Sequence, residues 1–348
     1  MSKIGTRRLL LIVLTAVVLS AVCLPAAAKE ILVVTVPGGS FEIGWKKNVI
    51  EPFEKQYNCE VVIDRSLTMQ TLAKLRAQKD NPQVDVVGMD EVAATQAAAE
   101  GLLEKLDPAK IPNLKNIHPF FKVDNPYYVK YLYVSQVIAY NTDYIKTPPT
   151  SYEILWDPKY KGRVAIPDIN TSHGIYLLLI AAKMNGGGPK NIDPGFEKIK
   201  SLIPNIYTYW TSHDHLAKLF AQGDIWLATW SSDRAQSLAE TGAPIAWVMP
   251  KEGSHSIEST MAIAKGSPHK DLAEKYINFS LSKAAQLGNA RDIHLGPTIK
   301  VDVPADLAKE LPVSEKQMSL LIRPDWVYIN TVRPEWVDRW NREILKQK

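Results

Sequence analysis

The chain has 348 residues, with 41 basic and 37 acidic side chains and a formal charge of +4. This near balance lacks the strongly basic character of nucleic-acid-binding domains, so we expect no nucleic acid as a partner. The length suits two ordinary domains. Of the two cysteines, only Cys59 lies beyond the first 28 residues, so no disulfide can form within the remainder of the chain.

The first 28 residues have the pattern of a secretory signal peptide. Basic residues at positions 3, 7 and 8 precede an apolar run over 9–24, and small residues follow at 26–28. An apolar run of about 16 residues is shorter than the roughly 20 that a membrane-spanning helix needs. We therefore predict cleavage after Ala28, a mature chain outside the cytoplasm and no stable membrane insertion after cleavage.

Predicted strands and helices alternate after the signal peptide. Residues 31–36 form a near-continuous β-branched run, which is typical of a strand buried on both faces in a parallel sheet. The elements predicted next are a helix from Ser40, a strand over 60–64, a helix over 69–79, a strand over 84–89 and a helix from Asp90 to Gly101. This alternation favours an α/β sheet with helices on both faces.

A second run of alternation follows a connecting region. Residues 104–128 contain four prolines and predict a loop, and the β-rich stretch 127–141 predicts an extended crossing between two halves. The later predicted elements are strands over 163–167, 206–210, 224–230 and 244–249, helices over 173–184, 214–222, 233–240 and 270–281, and a return crossing over 258–264. Residues 312–348 form a charged tail that is rich in tryptophan.

Two α/β halves joined by two extended crossings predict a bilobal protein. In doubly wound sheets, ligands bind at the carboxyl ends of strands, where loops meet helix N-termini. The predicted loops at such positions are 37–41, 88–91, 167–173 and 230–234. We assign residues 29–137 and 260–300 to lobe 1, and residues 138–259 and 301–348 to lobe 2.

Five stretches follow one another along the chain: EPFEK at 51–55, LWDPKYKGRV at 155–164, TGAPI at 241–245 with PKEG at 250–253, MAIAK at 261–265 and AEKYINF at 273–279. Their order and content resemble the extracellular solute-binding proteins of ABC importers, in the branch that is similar to spermidine/putrescine-binding proteins. The resemblance covers about residues 30–300.

The resemblance implies a type II periplasmic-binding-protein clamp of the α/β class, in which two lobes close on a small solute. It implies a periplasmic, monomeric chain that delivers the solute to the permease and ATPase of an ABC transporter. It also implies that the chain is not an enzyme, has no catalytic residues and needs no cofactor or resident metal.

The family's ligand positions fall on Trp230, Asp168 and a place beside Glu258. Polyamine-binding members stack aromatic rings on the methylene chain and place carboxylates at the ammonium groups, so the resemblance implies such roles for Trp230 and the two acidic residues. Counted without gaps from the motif at 251–253, Ser259 takes the place of the second carboxylate.

Other candidate ligand residues come from the predicted cleft loops. Gly39, Ser40 and Phe41 open a helix whose N–H groups suit a ligand carboxylate. Arg234 adds a bidentate partner for the same group. The remaining candidates are Asp90, Glu91 and Ser172, in the loops after two predicted strands.

These groups together predict a short ligand with an amine, either a small organic amine or an amino-acid-like zwitterion, similar to a polyamine or to γ-aminobutyrate. Several of them also have a purely structural interpretation. Trp230 would then be a core residue, Asp90 a helix cap, Arg234 a surface residue and Glu258 a solvent-facing strand residue.

Two alternatives remain open. The first is a ferric-ion or small-anion carrier of the same architecture; His213, Asp214 and His215 are its candidate ligands, although Thr211 and Asp214 also fit a helix capping box, and we predict no metal. The second is a secreted hydrolase that uses His173. The sequence holds no G-x-S-x-G, H-E-x-x-H or Walker motif that would support it.

Overall fold

A computed structural model describes residues 29–313 and 315–347 of the chain. The predicted signal peptide, residues 1–28, and its cleavage site lie outside the described residues. From Ile31 onward the chain packs as one unit. Within the described ranges, no helix has both the length and the hydropathy that crossing a membrane requires.

Three parallel strands form the first half of the sheet. β1 (Ile31–Val36) lies between β2 (Glu60–Arg65) and β3 (Val86–Asp90). The β-branched run of β1 has the bounds predicted from the sequence. β3 ends one residue later than predicted, which places Asp90 at the carboxyl end of the strand.

Two long strands connect this half to the rest of the sheet. β4 (Tyr128–Asn141) is buried at all 14 of its positions and pairs antiparallel with β9 (Ser254–Ile263). β9 pairs in turn with β3. The predicted crossing at 127–141 is therefore confirmed to within one residue, while the return crossing begins at Ser254 rather than at Glu258.

The second half of the sheet is again built on parallel strands. β5 (Val164–Pro167) lies between β6 (Ile206–Trp210) and β7 (Leu227–Ser231). β7 and β8 (Ile245–Val248) both pair antiparallel with the second part of β4. The main sheet consequently has the strand order β2-β1-β3-β9-β4-β7-β5-β6.

Helices fill the connections between the strands. The α-helices are α1 (Ser40–Trp45), α2 (Glu51–Tyr57), α3 (Thr68–Ala77), α4 (Glu91–Ala99), α5 (Ser172–Met184), α6 (Asp193–Leu202), α7 (His213–Gln222), α8 (Ser232–Glu240), α9 (Lys270–Ser280), α10 (Lys283–Ile293), α11 (Glu315–Ser319) and α12 (Trp326–Glu343). A π-helical turn, Lys46–Ile50, joins α1 to α2. Two short strands, β10 (Gly296–Pro297) and β11 (Leu321–Ile322), pair with β4 and β9.

Two predicted helix caps differ from the structure. Asp90 occupies the N-cap position of α4, but its side chain makes no capping hydrogen bond. The predicted capping box of Thr211 and Asp214 is wrong, because Ser212 Oγ accepts the hydrogen bond of the His215 N–H at 3.4 Å. The side chain of an N-cap residue accepts a hydrogen bond from the N–H two or three residues later in the chain. Ser212 fulfils this condition, one position after the predicted cap Thr211.

The tryptophan-rich tail contains the 18-residue helix α12, which the sequence patterns did not predict. Pro334 lies in its interior, and an interior proline argues against a helix. The helix nevertheless forms because it buries an apolar face, made of Trp326, Ile329, Trp336 and Trp340. Asn330 donates a hydrogen bond to the Val92 carbonyl of α4 at 2.8 Å, and Trp326 contacts Tyr176 of α5. α12 therefore touches helices of both halves.

The predicted lobe boundaries at 137/138 and 259/260 fall inside β4 and β9. The assignment of residues 301–348 to one lobe stays a prediction.

A buried network of charges holds the two crossing strands. Lys130 of β4 is 4% exposed, and its Nζ pairs with Glu258 of β9 and with Glu91 of α4, the latter at 2.9 Å. Glu258 also accepts from Arg323 Nε at 2.9 Å, and the Arg323 guanidinium lies 3.6 Å from the ring centre of Phe120. Burial raises the pKa of Glu91, while Lys130 opposes that rise. Each charge in this network therefore depends on its partners.

We predict that Lys130→Met lowers the free energy of unfolding by about 3–5 kcal/mol, because it leaves Glu91 and Glu258 buried without their cation. The matched control is Lys265→Met. Lys265 is 58% exposed and pairs with Glu104 at 3.2 Å, so its loss should change stability by less than about 1 kcal/mol. Urea denaturation measures both, and equal effects of the two substitutions would contradict the prediction.

Candidate functional site

Strand ends from both halves of the sheet surround a cavity of about 320 Å³. Its wall is formed by residues within 37–41, 66–70, 88–90, 131–134, 170–173, 210–213, 231–234 and 257–259, together with Leu295. Most of these segments follow the carboxyl ends of parallel strands, where ligands bind in doubly wound sheets. All four predicted cleft loops contribute residues to the wall.

Asp90, at the end of β3, holds a carboxylate in the cavity wall. Its Oδ2 accepts a hydrogen bond from Ser172 Oγ at 2.6 Å, and its Oδ1 accepts one from Ser259 Oγ at 3.0 Å. Burial raises the pKa of Asp90, while these hydroxyls and Thr68 act against the rise. The ion pairs formed by residues 29–313 and 315–347 do not include Asp90. A buried carboxylate without a cation favours a positively charged ligand group.

Asp233 brings a second carboxylate to the cavity. It is only 5% exposed, and its side chain accepts a hydrogen bond from Ser231 Oγ. Its negative charge contributes to the raised pKa of Asp90. Its Oδ2 lies 3.4 Å from Nε of Arg234, which supplies one positive charge. Two carboxylates against one guanidinium give this part of the wall an excess of negative charge.

Arg234 reaches from α8 to the loop that precedes α1. Its Nη1 donates to Ser40 Oγ at 2.9 Å, and its Nη2 donates to the carbonyl oxygen of Gly38 at 3.3 Å. Arg234 is 8% exposed, so it is not the surface residue of the alternative interpretation. It joins the segments that follow β1 and β7, which belong to different halves of the sheet.

Gly39 allows this close approach of the two loops. Its φ of 71° and ψ of −146° lie in a region that is essentially restricted to glycine. A Cβ atom at this position would lie 2.8 Å from Asp214 Oδ1 and 3.2 Å from Arg234 Nη1. The glycine is therefore required by both the backbone conformation and the lack of space.

Two histidines in the wall are neutral. Burial, followed by the charge of Arg234, lowers the pKa of His173 to about 3 and holds that of His213 well below its usual value. The Nδ1 atom of His213 accepts a hydrogen bond from Trp230 Nε1 at 2.8 Å. The neutral His213 ring consequently carries its proton on Nε2 and is a donor there. His173 Nδ1 lies 3.2 Å from Gln136 Oε1.

Beside several aliphatic side chains, three aromatic ones contribute to the apolar part of the wall: Phe41, Tyr131 and Trp210. Phe41 stacks on Trp45, which packs edge-on against Tyr131 at a centroid distance of 5.1 Å. Among the described residues, Trp210 Nε1 has no hydrogen-bond partner. A short carbon chain would find aromatic faces here, and the indole N–H of Trp210 is a further donor.

The wall includes five of the predicted ligand residues, namely Phe41, Asp90, Ser172, Arg234 and Ser259. The structure brings these five together from the four predicted cleft loops and the crossing strand β9. The other candidates, Gly39, Ser40, Glu91, Asp168, Trp230 and Glu258, are not part of the wall, and a direct ligand contact by them stays a prediction.

The positions of these other residues show what they do in the fold. Trp230 is 1% exposed and stacks on Phe220, and it orients His213 through its indole N–H. Asp168 Oδ1 accepts from the backbone N–H and the amide of Asn170 at 2.9 and 2.8 Å, which shapes the turn before α5.

Glu91 and Glu258 belong to the network around Lys130. Glu258 is 2% exposed, so the solvent-facing interpretation of this residue is wrong. Ser40 receives the hydrogen bond of Arg234. These three contacts organise the surroundings of the cavity.

Sequence reasoning missed several wall residues. The hydroxyl-bearing loop at 66–70 follows the carboxyl end of β2, a position that the strand-end rule would have found. Asp233 was read only as the start of a helix. Tyr131 lies on the crossing strand β4 and Trp210 at the end of β6. Both are aromatic residues at buried strand positions, which in the sequence are not distinguishable from core residues.

Candidate residues of the metal and hydrolase alternatives have other hydrogen-bond partners in the structure. His213 is bound to Trp230, and His215 is exposed. His173, the candidate residue of the hydrolase, pairs with Gln136 in the described structure, and the neighbouring Ser172 donates to Asp90.

The family profile of the bacterial extracellular solute-binding proteins matches residues 48–312. The chain is 28% identical over 241 residues to the spermidine/putrescine-binding periplasmic protein of Escherichia coli K12, which covers 67% of this chain and 68% of that protein. It is 27% identical over 292 residues to the gamma-aminobutyric acid-binding protein of Pseudomonas aeruginosa, covering 79% and 78%. A crystal structure of an ABC transporter protein from Clostridium perfringens is 31% identical, with a TM-score of 0.72 over 90% of this chain and 99% of that one. These likenesses confirm the predicted periplasmic-binding-protein fold.

We predict that Gly39→Ala destabilises the protein by about 1–3 kcal/mol and weakens ligand binding, because the backbone is strained and the loop is pushed away from Arg234. Gly38→Ala is the matched control. A Cβ at Gly38 would meet only Arg65 Cδ, at 3.9 Å, so its effect should stay within about 1 kcal/mol. Thermal denaturation and isothermal titration calorimetry test both variants, and a harmless Gly39→Ala would contradict the loop geometry.

Proposed function

We propose that this chain, which belongs to the bacterial extracellular solute-binding proteins, captures a small organic amine or an amino-acid-like zwitterion and delivers it to the permease of an ABC importer. The carboxylate of Asp90 carries the proposal. It lies in the wall of a cavity, it receives two serine hydroxyl groups, and no basic side chain of the described residues pairs with it. A ligand ammonium group would satisfy it with a charge-assisted hydrogen bond.

A carboxylate group of the ligand would meet donors of the wall. Arg234, His213 and Trp210 belong to the cavity wall, and each has an N–H donor. Arg234 uses some of its five donors on Ser40 and Gly38, which leaves others for a carboxylate. Donors together with two carboxylates fit a zwitterion, and the negative excess also tolerates a diamine.

The size of the cavity supports a small ligand. A volume of about 320 Å³ lies at the low end of the range for small-molecule sites. The polyamine and γ-aminobutyrate specificities named for two relatives are in the same chemical class. The aromatic rings of Phe41 and Tyr131 would pack on the carbon chain between the charged ends.

The transport steps follow from membership of the family. The chain would act in the periplasm after removal of residues 1–28, as a monomer, and would hand an unchanged solute to a membrane permease and its ATPase. The two halves that are joined by β4 and β9 would close on the ligand, with Arg234 and Asp90 making contacts across the cavity.

The first test is a thermal-shift panel of putrescine, spermidine, γ-aminobutyrate, simple carboxylates and ferric citrate. An amine or zwitterion at 100 times its dissociation constant should stabilise the mature protein by about 2.7 kcal/mol. A rise in melting temperature with ferric citrate or carboxylates alone would contradict the proposal.

For the best ligand, we predict that Asp90→Asn weakens binding about 10- to 100-fold, since a hydrogen bond to a charged group contributes about 1.5–3 kcal/mol. Asp168→Asn is the comparison variant, because Asp168 is the other predicted ligand carboxylate and the structure places it outside the wall, hydrogen-bonded to Asn170. If the amine binds at Asp90, this variant should leave the affinity unchanged. Because the pKa of Asp90 is raised, its negative charge is lost at a higher pH than for an ordinary aspartate. Wild-type affinity should therefore fall as the pH is lowered, and Asp90→Asn should lose that dependence. An equal loss of affinity in Asp168→Asn and Asp90→Asn would contradict the prediction that the ligand amine binds at Asp90.

Arg234→Gln distinguishes the two ends of the ligand. We predict that it weakens γ-aminobutyrate by about tenfold or more and putrescine much less, because only the former has a carboxylate. Calorimetry with both compounds on the same variant provides the internal control. Equal losses would show that Arg234 acts only by joining the loops after β1 and β7.

A further inference from the structure

Three side chains away from the cavity wall form a cluster with metal-ligand chemistry. Glu240, His294 and Glu310 each place one potential metal-ligating atom within 4.8 Å of the other two. Among residues 29–313 and 315–347, this is the one cluster of three such side chains close enough to share a metal ion. Glu240 ends α8, His294 follows α10, and Glu310 lies in the segment beyond β10. The chain thus brings them together from distant parts of the sequence.

His294 is the buried member of the cluster. Its side chain is 2% exposed, whereas the side chains of Glu240 and Glu310 are 50% and 43% exposed. Its Nε2 lies 3.0 Å from Glu240 Oε2, and its Nδ1 lies 3.7 Å from Glu310 Oε2. The second distance is too long for a hydrogen bond, so within the described structure Nδ1 is a buried polar atom without a partner. A neutral imidazole can donate to only one of two facing carboxylates.

The imidazole is fixed in place, and the carboxylates are free to adjust. His294 has the left-handed conformation, with φ 55° and ψ 33°, at the end of α10. Ala290 of α10 packs against Leu307 and Leu311, and these hold the segment that carries Glu310 beside the histidine. Ligand atoms bound to one ion at about 2.0–2.2 Å lie about 3–4 Å apart, which the two exposed glutamates reach by rotation of their side chains.

We propose that Glu240, His294 and Glu310 bind one divalent transition-metal ion, with Zn²⁺ as the first to test. One imidazole nitrogen and two carboxylates supply three of the four ligands of a tetrahedral site, and water completes it. The ion would place positive charge between the carboxylates of Glu240 and Glu310, and it would coordinate one ring nitrogen of His294. The site is separate from the solute cavity and goes beyond the proposed transport function.

Two residues of this site lie near residues of the cavity wall along the chain. Glu240 lies on the helix that carries Arg234, and His294 directly precedes Leu295 of the wall. A bound ion would therefore tie α8 to the segment after α10. The proposal itself concerns only the binding of the ion and does not depend on which solute is captured.

The test is calorimetric titration of the mature full chain with Zn²⁺ after treatment with EDTA, together with Co²⁺ absorption spectra. Wild type should bind one ion. Glu240→Gln, Glu310→Gln and His294→Asn should each weaken binding about 100-fold or more, because loss of a direct ligand exceeds the 10- to 100-fold effect of outer partners. Asparagine is chosen at His294 since it tolerates the left-handed conformation.

The control is His215→Asn, which removes an exposed histidine outside the cluster and should leave Zn²⁺ binding unchanged. Melting temperatures in EDTA show whether each variant is folded, and Glu240→Gln should stay folded because the Glu240 side chain is 50% exposed. The proposal is overturned if wild type binds no Zn²⁺ at a stoichiometry of one, or if Glu240→Gln and His294→Asn bind it as well as wild type. Loss of binding in His215→Asn alone would place the ion at α7 and overturn it equally.

Discussion

The buried carboxylate of Asp90 is the constraint on which the site depends. It ends β3, and it is reached by Ser259 from the crossing strand β9 and by Ser172 from the start of α5. One side chain thus contacts elements of both halves of the sheet. Burial without a protein cation disfavours its charged form, and an ammonium group from a ligand would reverse that penalty. Closure of the cavity and choice of ligand would therefore rest on the same group.

Two crossing strands connect the halves of the sheet that Asp90 links. The parallel strands of each half pair among themselves, and β4 and β9 alone carry the main sheet from one half to the other. Lys130 and Glu258 on these strands are paired and buried, and Arg323 extends the network towards the C-terminal segment. α12 then packs against α4 and contacts α5. Ion pairs thus hold the crossing strands, and the tail contacts helices of both halves.

Much of the fold could be predicted from sequence because strand and helix periods are local properties. β1 and the crossing strand β4 were found almost to the residue, and the strand-end rule located four loops of the cavity. α12 was missed because Pro334 and scattered tryptophans hide a face that only tertiary packing makes helical. At the site, Phe41, Asp90, Ser172, Arg234 and Ser259 were predicted and lie in the wall. Glu258 was predicted to contact the ligand, with a solvent-facing position as the structural alternative, whereas it is buried and paired with Lys130. Sequence alone does not show that Lys130 on another strand would meet it. His213 and Asp233 depend on side-chain orientation, which no spacing reveals.

The most direct measurement is a crystal structure of the mature protein with the compound from the panel that binds best. The account predicts a ligand amine within about 2.7–3.2 Å of an Asp90 carboxylate oxygen, with its carbon chain between Phe41 and Tyr131. A ligand bound in this cavity with no cationic group near Asp90, or bound elsewhere on the chain, would contradict it.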